Sequence, residues 1–138
     1  MRIAPLLALS TGLTLLAACQ PADPPGSAPV VSAATIAGEY RVTTLDDTPA
    51  DLPEPMQAAI TPTRIDVRSG CVRFAFDYQL EGDVLNLTPA PVPSCRRALL
   101  PAEQKVQDVL ATGPTITRLA DESLKVGGAT ASFVLAPG

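Results

Sequence analysis

The chain contains no histidine. That removes histidine-based catalytic triads and dyads, together with every metal site built on imidazole. Lys and Arg number only 10 in 138 residues and are scattered along the chain, and the formal charge is -4. Such a balance disfavours nucleic acid as a partner and gives a folded domain no electrostatic reason to lie flat on anionic lipid. No Gly-x-Ser-x-Gly elbow or phosphate-cradling glycine loop occurs. Cys-x-x-Cys spacing is missing as well, which weakens both a zinc and a dithiol redox reading. The N-terminal apolar run, Ile3 to Leu16, falls short of the roughly 20 residues that a transmembrane helix needs. There is no clear internal repeat.

What is present begins with that short run. Arg2 gives a positive start, Ile3 to Leu16 is apolar or small, and Leu16-Ala17-Ala18-Cys19 closes it. Small residues before a cysteine at the end of such a run read as a bacterial lipobox. Residues 1–18 are then a lipoprotein signal peptide, and Cys19 is the lipid-attachment residue and mature N-terminus. Several acyl chains on one cysteine anchor stably where a single chain does not. Gln20 stands where Asp tends to retain such proteins in the inner membrane, so the expected location is the outer membrane, facing the periplasm. Residues 19–33 include Pro21, Pro24, Pro25 and Pro29 among Ala, Gly and Ser. They read as an extended tether of about 3.1 Å per residue, reaching on the order of 40 Å from the bilayer.

The remaining residues, 34–138, suit one small core. Two cysteines remain there, Cys71 and Cys95. In an oxidising envelope an even pair invites a disulfide, worth roughly 3 kcal/mol for a loop of about 25 residues. A metal or redox role is the alternative. Gly38 to Leu45 reads as a strand, and Met56 to Ile60 as a helical turn after a proline-rich loop. Arg64 to Arg68 and Val72 to Leu80 alternate strictly, with Val72, Phe74, Phe76, Tyr78 and Leu80 on one face. A Ser69-Gly70 turn would pair Val67 with Val72, Ile65 with Phe74 and Asp66 with Arg73. A Gly82-Asp83 turn, with Gly first as type II′ prefers, would pair Leu80 with Leu85 and Tyr78 with Leu87. A helix starts near Pro101, buries Val106, Val109 and Leu110, and stops at Gly113-Pro114. Thr115 to Leu119, Ser123 to Val126 and Thr130 to Leu135 read as closing strands. The expected fold is α+β: a curled antiparallel β-sheet packed on one helix.

Three charged pairs are candidates for chemistry. Asp46-Asp47 and Asp121-Glu122 sit where turns belong, and turns commonly carry Asp, so a general acid/base role is the weaker reading. Arg96-Arg97 could grip a carboxylate or phosphate, although such a pair is more often a solvated loop edge. No catalytic, cofactor-binding or metal residues are expected.

Several segments, in order, resemble the META/HslJ-like domain of bacterial envelope proteins. Gly38-Glu39-Tyr40 is similar to its Gly-x-Trp opening, and Ser69-Gly70-Cys71-Val72-Arg73-Phe74 to its Gly-Cys-Asn-Arg-Phe segment. Asp77-Tyr78 to Leu87 resembles the following hairpin. Cys95 falls where that family carries a second cysteine, and Glu103 to Leu110 resembles its acidic helical segment. Leu119 to Leu124 and Phe133 resemble its terminal hairpins. The likeness spans Ile36 to Leu135. Val72 stands in place of the usual Asn and Tyr40 in place of the usual Trp, which makes this a divergent member. Pro91-Val92-Pro93-Ser94-Cys95 replaces the Thr-x-Met-x-Cys segment. The register above places Val72 in the core. The resemblance implies a partly closed sheet wrapped against one helix, no enzymatic activity, and a link to envelope stress responses. The expected function is a non-enzymatic binding or stress-response module. Its partners would be the bilayer, through acylated Cys19, and an envelope protein or apolar ligand. A lysozyme-inhibitor-like lipoprotein and a carrier or pilot for an apolar ligand are the alternatives.

Overall fold

Strand β1 (Gly38–Leu45) is paired on both sides, and that decides the architecture. One edge pairs with β3 (Gln57–Ile60), with Tyr40 opposite Ala58; the other pairs with β9 (Ser132–Pro137), with Val42 opposite Leu135. The computed structural model describes residues 30–128 and 130–138. Between those two neighbours of β1 lie β4 (Arg64–Ser69), β5 (Val72–Glu81), β6 (Val84–Pro89), β7 (Thr115–Arg118) and β8 (Leu124–Gly127), each antiparallel to the next. The result is a closed eight-stranded antiparallel barrel, mostly sheet. The expectation of a curled, partly closed sheet packed on one helix is therefore corrected. The last strand returns to the first, and closure removes the two open edges that a curled sheet would leave. A β-bulge between Val42 and Thr44 bends β1 where it meets β9. β2 (Thr48–Pro49) is only a short flap folded back on the end of β1.

Alternation fills the barrel. Tyr40, Val67, Phe74, Phe76, Tyr78 and Phe133 are all at most 7% exposed and share one core with Leu85, Ile116, Leu124 and Leu135. The buried phenols have partners: Tyr40 Oη donates to the Ile36 carbonyl at 2.9 Å, and Tyr78 Oη to the Thr61 carbonyl at 2.8 Å. Helix α2 (Pro101–Ala111) covers one end, burying Val106, Val109 and Leu110. It is tied to the turns at that end through Lys105 to Asp46 and, next to its N-terminus, Arg97 to the Ser69 carbonyl. At the opposite end sits a single helical turn, α1 (Ala33–Ile36), which the sequence reading did not foresee. Ser32 caps it, and Ile36 is fully buried.

The β5–β6 hairpin has the expected register, with Leu80 opposite Leu85 and Tyr78 opposite Leu87. The β4–β5 hairpin differs. Its turn is Gly70-Cys71, so Ile65 faces Phe76, Val67 faces Phe74 and Asp66 faces Ala75. Gly70 occupies the first turn position with φ +55°, the conformation that favours glycine there. A shift of two residues preserves the inward and outward faces, so the core assignment survives while the Asp66–Arg73 pair does not. Residues 57–60, expected as part of a helical turn, form a strand because β1 and β4 supply backbone partners on both sides. β6 and β7 meet through Val84 and Thr115, with Leu85 N–H donating to Pro114 O and Ile116 N–H to Asp83 O.

Candidate functional site

Cys19, expected as the lipid-attachment residue, the expected signal peptide and residues 20–29 of the expected tether lie outside the described residues. No helix among the described residues is long and apolar enough to cross a membrane. Of the other singled-out residues, Cys71, Cys95, Arg97 and Asp46-Asp47 gather at the barrel end beneath α2, whereas Asp121-Glu122 lies in the β7–β8 turn beside Arg118, which reaches α1 at the other end.

Cys71, in the tight β4–β5 turn, and Cys95, in the loop before α2, are joined as a disulfide with their Cα atoms 5.6 Å apart. The crosslink pins that loop to the turn, and the next charged contact follows from it. Arg97 grips Glu103 through two bonds, Nη1 to Oε2 at 2.8 Å and Nη2 to Oε1 at 2.6 Å. It also donates to the carbonyls of Ser69 at 3.3 Å and Ala98 at 3.0 Å. Glu103 is fully buried, and its Oε2 accepts the Leu100 N–H at 2.8 Å, capping α2. The Arg97 hydrogen bonds hold its carboxyl at about 2 against the opposing effect of burial, with help from Leu100 N–H and Ser69. The same pairing raises the guanidinium. Arg97 does grip a carboxylate, as its type allows, but the carboxylate belongs to its own chain.

The acidic pairs are likewise engaged in turns. Asp46 and Asp47 have φ of 47° and 61°, the two positive values of a type I′ turn. Asp46 accepts from Ser132 N–H at 2.9 Å and pairs with Lys105, which lowers its carboxyl; Asp47 meets Lys125 at 2.9 Å. Asp121 accepts from both the hydroxyl and the N–H of Ser123, which lowers its carboxyl too. Among the described residues no cluster of three His, Cys, Asp or Glu could hold a metal ion. Val72 is 3% exposed and packs in the core, where the alternation places it.

Beside the disulfide corner runs a concavity that the sequence reading missed. A groove of about 450 Å³ lies between Leu45 of β1, the loop carrying Leu52 and Pro53, and Leu100, Pro101 and Lys105 of the α2 start. A second hollow of about 320 Å³ joins it across Pro53 and Leu100 and ends at Cys71 and Arg97. The signal was the proline-rich loop itself: prolines present apolar rings on a stiff backbone, so Pro49, Pro53 and Pro101 form walls rather than a mere connection. Elsewhere the charged residues read as scattered are brought together: Arg68 and Arg73 stand opposite each other on β4 and β5, and Arg41 on β1 is separated from Arg68 by Gln57 of β3.

The comparisons with known proteins are sparse. No family model matches the chain, and no curated protein matches it. One solved structure, the NMR structure of a protein from Burkholderia xenovorans, is similar at a TM-score of 0.49 and 13% sequence identity, covering 86% of this chain and 97% of that one.

Proposed function

We propose that this chain is a lipid-anchored protein of the bacterial envelope, held through acylated Cys19, whose barrel is a non-enzymatic binding module facing the periplasm. The lipobox and the proline tether support the anchor. The resemblance to META/HslJ-like domains supports an envelope stress role. One observation carries the binding reading: the barrel interior is occupied by its own aromatic and aliphatic side chains and helical segments cover both ends. Recognition then falls to the exterior, where the proline groove and the outer strand faces are available. The same packing argues against an apolar cargo carried inside.

The test is crosslinking in cells with the lipidated full-length protein, followed by purification from its own membranes. A defined envelope partner, with membrane association lost in Cys19→Ala, is the expected result. Turnover of a cell-wall or lipid substrate by the purified protein, or inhibition of lysozyme, without a crosslinked partner would overturn the proposal.

A further inference from the structure

On the outer face of the barrel, one side chain from each of four neighbouring strands falls into a single row. Arg41 stands opposite Gln57, Gln57 opposite Arg68, and Arg68 opposite Arg73. All four are exposed. Neighbouring strands lie about 4.8 Å apart, so the row spans about 15 Å. The other cations of the barrel and helix are mostly matched: Arg64, Arg97, Lys105, Arg118 and Lys125 each meet a carboxylate. Among the described residues no carboxylate pairs with Arg41, Arg68 or Arg73, and Arg68 donates instead to the Gln57 side-chain carbonyl. Like charges directly opposite one another destabilise a sheet, so the Arg68–Arg73 pair opposes folding rather than assisting it.

The adjoining row runs Glu39, Ala59, Asp66, Ala75 in the same register. Within it, Ala59 floors a depression of about 350 Å³ bordered by Gln57, Arg68 and Arg73 on one side and by Glu39 and Asp66 on the other. A uniformly anionic surface such as a lipid headgroup layer would meet repulsion from those two carboxylates and from the chain's net charge of -4. A polypeptide can place its acids over the arginines and neutral or basic residues over Glu39 and Asp66.

We infer that the Arg41–Gln57–Arg68–Arg73 row is the docking surface for an acidic segment of a partner protein, whose carboxylates the arginines receive in paired hydrogen bonds. The inference rests on the proposed binding function and names the chemistry of the partner. The experiment uses the mature chain with a fluorescent peptide of alternating Glu and Ala as probe, read by anisotropy. Binding should weaken as salt rises. The double variant Arg68→Gln/Arg73→Gln should bind about tenfold more weakly, with its melting temperature unchanged or raised. Equal binding by the variant, or no binding of the peptide, overturns the inference. So does variant-sensitive binding to phosphatidylglycerol vesicles or inorganic phosphate in place of the peptide. A photo-crosslinking residue at Gln57, compared with one at Leu52 in the proline groove, separates the two levels in cells. Crosslinks from Gln57 to an acidic segment support the row. Crosslinks from Leu52 alone overturn the row and leave the binding function standing, and none from either position counts against both.

Discussion

Glu103 is the residue whose chemistry most depends on its neighbours. It is fully buried and stays ionised because Arg97 supplies two hydrogen bonds and Leu100 N–H a third. Its carboxyl sits at about 2 rather than 4.5. A depressed carboxyl stabilises the fold above its ordinary value, and that contribution disappears as pH falls from about 4.5 to about 2. Its size is on the order of 3 kcal/mol before solvent reaching the 38% exposed Arg97 reduces it. Urea unfolding across that pH window should show a steeper loss in the wild type than in Glu103→Gln, which keeps the smaller acid losses from Asp46 and Asp121; identical pH profiles would remove the role assigned to the pair. At pH 7 Arg97→Ala should cost more than Glu103→Gln, because it leaves a buried charge unpaired, whereas the glutamine leaves a cation that water can reach. Calorimetry of the two variants decides the order. The sequence showed Arg97 and Glu103 as separate features, one beside a cysteine and one in a helix. Nothing in their spacing said that a disulfide loop would fold one onto the other.

Elements with a strong local signal were legible. The nine-residue alternation from Val72 to Leu80 named its own inward face, and Gly82-Asp83 fixed the β5–β6 register by turn chemistry. The Gly70-Cys71 turn obeys the same preference for glycine first. Residues 57–60 carry little local signal, because Gln-Ala-Ala-Ile has no strong alternation and its strand state depends on β1 and β4 flanking it. At the β8–β9 connection, a Cβ on Gly127 would lie 2.6 Å from the Ala131 carbonyl oxygen and the Ser132 Cα, both backbone atoms. Gly127→Ala should therefore destabilise by about 2 kcal/mol or more through forced backbone movement. A thermal melt checks it, and a wild-type midpoint would show that the turn is looser than described. The Asp46-Asp47 turn makes the opposite prediction. Asp47→Gly relieves a non-glycine residue at φ 61° and loses only an exposed ion pair, so stability should hold or rise by roughly 0.5 kcal/mol. Asp46→Ala should lower it, since Asp46 also receives the Ser132 N–H.

Over the whole molecule, long-range pairing did what no local pattern announced. β1 and β9 are separated by almost the entire domain, and their pairing turns a curled sheet into a closed barrel. The arginine row was hidden for the same reason: Arg41, Arg68 and Arg73 look scattered until the strands bring them, with Gln57, into one row. The disulfide acts on this scale as well. It closes a loop of sequence separation 24, and replacing both cysteines by serine should cost roughly 3 kcal/mol while leaving the barrel strands paired. Hydrogen exchange that collapsed across all strands at equal stability would contradict that. Closure itself is central, because the proposed recognition at the outer surface rests on a closed and filled barrel, whereas an open one admits cargo. The direct measurement is NMR of the mature domain in solution, observing backbone contacts between β1 and β9. Cross-strand signals between Arg41 and Ala136 and between Val42 and Leu135, with slowly exchanging amides on both strands, are predicted. Fast-exchanging amides along β9 and no contact to β1 would show an open sheet and contradict the account.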